Sequence, residues 1–147
     1  MAKKVYTDTD GRRFNVDHYI YAVEIGSLAP GATLTANINI EANSNFVWVK
    51  SSFNTYVNSG SVNVDELAMQ LPRIDVSITD SGSGLNLQNI PTDLSSVAGQ
   101  KGLPLVLPQE REFNANSNVQ FTFTSYDAAS TYVRTKLHLI GYKKFYL

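Results

Sequence analysis

Hydrophobic and polar residues alternate along most of this chain. In ATLTANINIE (32–41), Leu34, Ala36, Ile38 and Ile40 fall on one face, and Thr33, Thr35, Asn37 and Asn39 on the other. RIDVSIT (73–79) sets Ile74, Val76 and Ile78 against Arg73, Asp75, Ser77 and Thr79. NVQFTFT (118–124) sets Val119, Phe121 and Phe123 against Gln120, Thr122 and Thr124. YVRTKLHLIGY (132–142) places Val133, Leu137 and Leu139 opposite Arg134, Lys136 and His138, and HYIYAVEI (18–25) aligns Tyr19, Tyr21, Val23 and Ile25. A period of two is the signature of strands with one buried and one wet face, as in antiparallel sheets. A sixth stretch, NFVWVKSSFNTY (45–56), is apolar on both faces at its start, which predicts a central strand or a bulge near Ser51–Ser52.

Turn chemistry separates these runs. SLAPGAT (27–33) holds a Pro-Gly pair, and NSGS (58–61) and TDSGSG (79–84) are similar punctuation. The tetrapeptide Ala-Asn-Ser-Asn occurs twice, at 42–45 and 115–118, each time before an apolar strand. Asn and Ser bond their own backbone in tight turns and Asn tolerates positive φ. Each copy is therefore expected to be a hairpin turn, launching strands at Phe46 and Val119.

Helical signal is sparse. VDELAMQL (64–71), stopped by Pro72, is the best candidate; TDLSSVAG (92–99) suits one turn capped by Thr92. GLPLVLPQE (102–110) carries two prolines and reads as an edge strand or extended loop. The pattern predicts an all-β fold: an antiparallel β-sandwich, jelly-roll-like, of about seven or eight strands with one or two short helical turns. Connections at 57–72 and 85–103 would cross between sheets or cover the ends. Shared parity predicts a core containing Leu34, Ile38, Ile74, Val76, Phe121, Phe123, Leu137 and Leu139.

Composition narrows the function classes. With 147 residues the chain suits one domain and one ordinary core. Hydrophobic residues make up 43% and the net charge is −1, so neither disorder nor an electrostatic nucleic-acid binder is expected. No cysteines are present, which removes disulfides and thiol chemistry and fits production in a reducing cytoplasm. The N-terminal lysines lack a following apolar region, so no secretory signal is expected, and no run reaches the roughly 18 apolar residues of a membrane span.

Candidate chemistry is thin. His18 and His138 sit on the more polar faces of their strands, too few to build a metal site. Asp8, Asp10 and Gly11 resemble the opening of a calcium loop, but the closing Glu is missing, so an Asp-Gly turn is expected. DSGSG (80–84) lacks the Lys of a phosphate loop, and no G-x-S-x-G elbow exists. Trp48 raises the question of sugar stacking, but its place in a doubly apolar strand points to the core or a subunit contact. The expectation is a protein without enzymatic activity, cofactor or metal.

The second half, from ITDSGSG to GYKKF, resembles a group of small virion proteins of tailed bacteriophages. The shared order is a T-D-x-x-S-G type turn (79–84), an L-x-L run (85–87), a P-L-x-L-P segment (104–108), an F-x-A-N-S turn (113–117), an alternating strand (119–125) and a closing L-x-G-Y/F-K strand (137–143). The first half matches through IGSLAPGATLTANINIEANSNFVWVKSS, and residues 1–15 have no counterpart. The resemblance implies a jelly-roll capsid decoration or minor capsid protein. Its rivals are a neck, tail or fibre-base protein of the virion, and a carbohydrate-binding β-sandwich. It implies localisation in the virion after synthesis in the host cytoplasm. The implied partners are a major capsid or neck/tail protein and further copies of the chain, in a trimer or another homo-oligomer. No nucleic acid or membrane partner is expected.

The termini stand apart from the alternating strands. Residues 1–15 read as an N-terminal arm or extension and 16–147 as the sandwich. Lys3, Lys4, Val5, Tyr6, Arg12 and Arg13 at one end, and Phe145, Tyr146 and Leu147 at the other, combine basic and large apolar groups. Exposed aromatic ends are costly unless covered. These nine residues are the expected subunit or partner contacts.

Overall fold

The computed structural model describes residues 3–58, 66–100 and 102–147. The elements in order are β1 (Tyr6–Thr7), β2 (Arg13–Ile25), β3 (Thr33–Asn39), β4 (Asn45–Asn58), β5 (Glu66–Ala68), β6 (Ile74–Asp80), β7 (Leu85–Asn86), β8 (Thr92–Asp93), α1 (Leu94–Val97), β9 (Gly99–Gln100), β10 (Leu105–Phe113), β11 (Asn118–Ser125) and β12 (Tyr132–Tyr146). The long strands coincide with the alternating runs. The short ones decorate their edges.

Two sheets face each other. The larger runs β1-β2-β12-β4-β10, with β5 and β9 added along β4; the smaller runs β3-β11-β6-β7, with β8 added on β6. Setting aside the edge pieces β1, β5, β8 and β9, eight strands remain. Numbered by sequence, their order is 1-8-3-6 in one sheet and 2-7-4-5 in the other, with β7 as a two-residue fifth strand. That interleaving is the jelly-roll topology. The first strand lies beside the last, so β2 pairs with β12 over twelve positions, from Thr135↔Ile25 to Tyr146↔Phe14.

The repeated Ala-Asn-Ser-Asn makes this interleaving possible. Both copies turn the chain, but neither closes a hairpin within one sheet. The first carries it from β3 in the smaller sheet to β4 in the larger, and the second from β10 in the larger to β11 in the smaller. They are two arches of opposite sense, side by side, because β4 pairs β10 and β3 pairs β11. The arches bond each other: Asn116 N–H donates to Ile40 O at 3.0 Å and Ile40 N–H to Ser117 O at 2.9 Å. Asn116 adopts φ 64°, a backbone that Asn tolerates better than most side chains. Alternation located both turns but could not say which sheet each strand would join.

The core lies between the sheets. Of the predicted core, Ile38, Ile74, Val76, Phe121, Phe123, Leu137 and Leu139 are all buried. Leu34 is the exception at 36% exposure. Its parity is inward, but β3 is the edge of its sheet and Leu34 lies near the start of that strand. Val133 is also only half-buried, because the β12–β4 register shifts between Tyr132 and Arg134. Tyr132 takes the inward place and is fully buried, with its hydroxyl donating to Asp127 and accepting from Arg73 N–H.

Two further expectations need correction. Within the predicted helix 64–71, Glu66–Ala68 forms β5 and pairs antiparallel with Tyr56–Asn58; positions 64 and 65 lie outside the described residues. The long end of β4 offers unpaired backbone groups, and pairing with them overrides a weak local helix preference. The single helical turn, Leu94–Val97, has Asp93 and not Thr92 at its cap position, and the Thr92 hydroxyl instead accepts from Gln88 Nε2 at 2.8 Å. The doubly apolar stretch is the expected central strand, β4, between β12 and β10, and its irregularity falls at Val49, where β12 skips from Lys50 to Trp48. Gly141 faces this kink, and a Cβ there would sit 1.8 Å from Val47 O.

Candidate functional site

The nine predicted contact residues come from opposite ends of the chain, and the fold brings the two groups to one end of the larger sheet. Asp8 closes a tight hairpin between β1 and β2: its carboxylate accepts from the N–H groups of Asp10 and Arg12 at 3.0 and 2.8 Å, and Gly11 turns the chain at φ 82°. This is the expected Asp-Gly turn. It folds Tyr6 back onto Phe14, and β12 lays Tyr146 on the other side of Phe14. Phe145 and Tyr146 are thus the last residues of a long inner strand. The Leu147 N–H donates to Arg13 O at 2.9 Å, and the Leu147 side chain is exposed.

Tyr6, Phe14 and Tyr146 form a row of rings across three adjacent strands. Tyr6 and Phe14 stack at 5.7 Å, and Phe14 meets Tyr146 edge-on at 6.0 Å. Cations sit over these rings. Lys4 Nζ lies 5.1 Å from the Tyr6 centroid, Lys144 Nζ 4.4 Å from Phe14, and the Arg12 guanidinium 3.7 Å from Tyr146. Lys3 lies 5.7 Å from the Phe145 ring and pairs with Asp17 at 2.7 Å. Each exposed cation–ring contact is worth about 0.5–1 kcal/mol. The rings are thereby held in fixed positions while Tyr6 and Val5 remain exposed. A preordered aromatic surface loses little side-chain entropy when a partner covers it.

The charge is concentrated here. Lys3, Lys4, Arg12, Arg13, Lys143 and Lys144 are six of the chain's 12 basic residues. Lys144 is bridged to Glu112 at 3.0 Å, and Lys143 to Glu41 at 2.6 Å. The Lys143 side chain is only 9% exposed and lies 3.9 Å from the Tyr19 ring. Burial pushes its ammonium toward the neutral form, but the bond to Glu41 and the electrostatic pull of Tyr21, Tyr19 and Glu41 together outweigh this and hold its pKa above the ordinary value.

From this end the outer face of the larger sheet continues as an apolar stripe, in which Ile20 lies opposite Ile140 and Tyr142 opposite Val47. His18 and His138 share that outer face but are opposite Tyr142 and Ala22, four register steps apart along β12. At about 3.4 Å per residue that separation is roughly 14 Å, too far for one shared ligand. Sequence reasoning missed Phe14, the centre of the ring row, and Lys144. The signal was available for Phe14, since an Asp-Gly hairpin at 8–11 puts it opposite Tyr6. Trp48 is 3% exposed and stacks on Phe113 at 6.2 Å, as the core reading expected.

No protein-family model matches this chain, and no curated protein sequence matches it. Among solved structures it is similar to that of the infectious bursal disease virus Gt strain, at 12% identity and TM-score 0.32, over 92% of this chain and 37% of that one. It is also similar to a family 35 carbohydrate binding module from Clostridium thermocellum, at 14% identity and TM-score 0.31, over 93% and 98%. A third likeness is to an exo-beta-1,3-galactanase from Phanerochaete chrysosporium, at 16% identity and TM-score 0.30, over 93% and 29%. The chain thus spans well under half of the viral and galactanase chains. At these scores the likenesses assign no family, and the architecture rests on the strand order itself.

Proposed function

We propose that this chain is a non-enzymatic structural protein of a tailed-phage virion, a capsid decoration or minor capsid component. One observation carries the reading. Segments from opposite ends of the chain, lacking clean alternation, converge on a preordered row of rings and cations at one end of the sandwich. A fold does not imply a function; this surface, and the turn-and-strand motifs that resemble phage virion proteins, support the reading. Aromatic and cationic side chains are the types enriched at protein contacts. The partner is a neighbouring virion protein that presents acidic and apolar groups.

The non-enzymatic reading is supported by the separation of His18 from His138 and by the turn bonds that occupy Asp8. Among the described residues no helix is long and apolar enough to cross a membrane. The carbohydrate-binding alternative is disfavoured because the Trp48 ring is packed in the core, stacked on Phe113 and only 3% exposed. Quantitative mass spectrometry of purified particles tests the reading. A copy number that scales with the capsid lattice supports decoration, and one matching a single portal ring moves the protein to the neck. Absence from the particle overturns the proposal.

A further inference from the structure

Among the described residues the two sheets have four edges, and they differ in how they are protected. An edge strand offers unpaired N–H and C=O groups, and proteins usually block such edges with charges, proline or irregularity. On β10 the edge carries Pro108, Glu110, Arg111 and Glu112, and its ladder breaks between Val106 and Arg111. On β2 the edge is capped by β1 and carries Asp17, His18 and Glu24. The opposite side of the smaller sheet is closed by β7 and β8. The remaining edge, β3, reads TLTANIN, with no charge, no proline and no register shift against β11.

The ladder fixes which β3 groups face outward. Ile40 N–H donates to Ser117 O, directly opposite, and Ala32 O accepts from Ser125 N–H, also directly opposite. Antiparallel pairs alternate between bonded and non-bonded. Leu34, Ala36 and Ile38 therefore bond β11, and Thr33, Thr35, Asn37 and Asn39 point their N–H and C=O groups to the free edge. The same four residues line the outer face in uncharged pairs with β11: Thr33 with Thr124 at 3.0 Å, Thr35 with Thr122 at 3.4 Å, and Asn39 with Asn118 at 2.7 Å. Leu34, inward by parity, remains partly exposed.

We propose that β3 pairs antiparallel with the β3 of a second copy about a two-fold axis, joining the two smaller sheets into one. The proposal does not depend on the virion reading. One register uses every free group: Thr35 opposite the partner's Asn37, Thr33 opposite the partner's Asn39, Leu34 opposite the partner's Ile38, and Ala36 on the axis. The bonded positions are then the four residues whose groups face the edge. Ala36 occupies a close, non-bonded pair where a small side chain fits, and Leu34 gains the apolar neighbour it lacks. A strand without charge can oppose itself without like-charge repulsion, so a second copy suits this edge. The cationic end of the larger sheet could not do the same.

The register makes the test specific. Sedimentation equilibrium of the full chain should show a dimer. Thr35→Lys/Asn37→Lys places like charges across the axis twice and should abolish it. Thr35→Glu/Asn37→Lys places opposite charges at the same sites and should retain it. Both pairs of substitutions lie on the wet outer face, so cooperative unfolding should persist. If the double-lysine chain does not fold, Thr35→Pro replaces it, because that N–H points away from β11 and its loss should also give a monomer. A monomeric wild-type chain, or two double variants with the same mass, overturns the proposal.

Discussion

The side-chain oxygen of Asn45, in the first Ala-Asn-Ser-Asn turn, accepts a 2.9 Å hydrogen bond from the backbone N–H of Ala115, in the second. The same side chain donates to Glu112 at 3.2 Å. One residue of one arch therefore satisfies the backbone of the other. Asn45→Ala strands that N–H and should cost about 1–2 kcal/mol in chemical denaturation. Asn116→Gly should be nearly neutral at φ 64°, whereas Asn116→Val should destabilise clearly. Equal stability of all three variants would show that the arches do not support each other.

The contrast between Phe121 and Leu34 tests the core. Both were expected inside, but Phe121 is fully buried and Leu34 is at an edge. Phe121→Ala should cost about 3–5 kcal/mol. Leu34→Ala, with part of its surface already wet, should cost well below the usual 2–5 kcal/mol of a buried leucine. Comparable losses would mean that Leu34 is covered in solution.

Gly141 is required by contact and not by positive φ. A methyl group there would collide with Val47 O across the β12–β4 ladder. Gly141→Ala should cost about 3 kcal/mol or more, because the clash is with backbone and two inner strands must separate. A stable, soluble Gly141→Ala protein would contradict this register.

Asp127 gives a pH dependence. The N–H groups of Ser130 and Ala129 bond its carboxylate and hold its pKa below the ordinary 3.8. A depressed carboxylate pKa adds stability above 3.8 that is lost as pH falls through the lower folded value. Asp127→Asn should therefore be less stable than wild type near neutrality, with the gap closing in acid. A gap that is constant with pH would assign the effect to geometry alone.

Much of the fold was legible. The alternation in 73–79 and 118–124 located β6 and β11 and their buried faces, because period two specifies which side of a strand is wet. What it cannot specify is pairing between distant segments. The Ala-Asn-Ser-Asn copies therefore looked like hairpins although each bridges the sheets, and 66–68 looked helical although β4 recruits it as a strand. The candidate site was legible as a set of residues but not as a place. Tyr6 and Tyr146 become neighbours only because the first and last long strands pair, and Phe14 between them follows from that pairing.

In the proposed virion role, the row of rings and cations at the terminal end of the larger sheet is the docking surface. The direct measurement is co-sedimentation with particles lacking this protein, comparing wild type with Lys4→Glu/Tyr6→Ala/Arg12→Glu. These side chains lie outside the core, so the triple variant should lose the Lys4–Tyr6 and Arg12–Tyr146 contacts, about 1–2 kcal/mol, and still unfold cooperatively. An aromatic anchor at an interface is worth about 2 kcal/mol or more, roughly thirtyfold in affinity, so bound copies at limiting protein should fall by at least that factor. Equal binding by a folded triple variant would contradict the account.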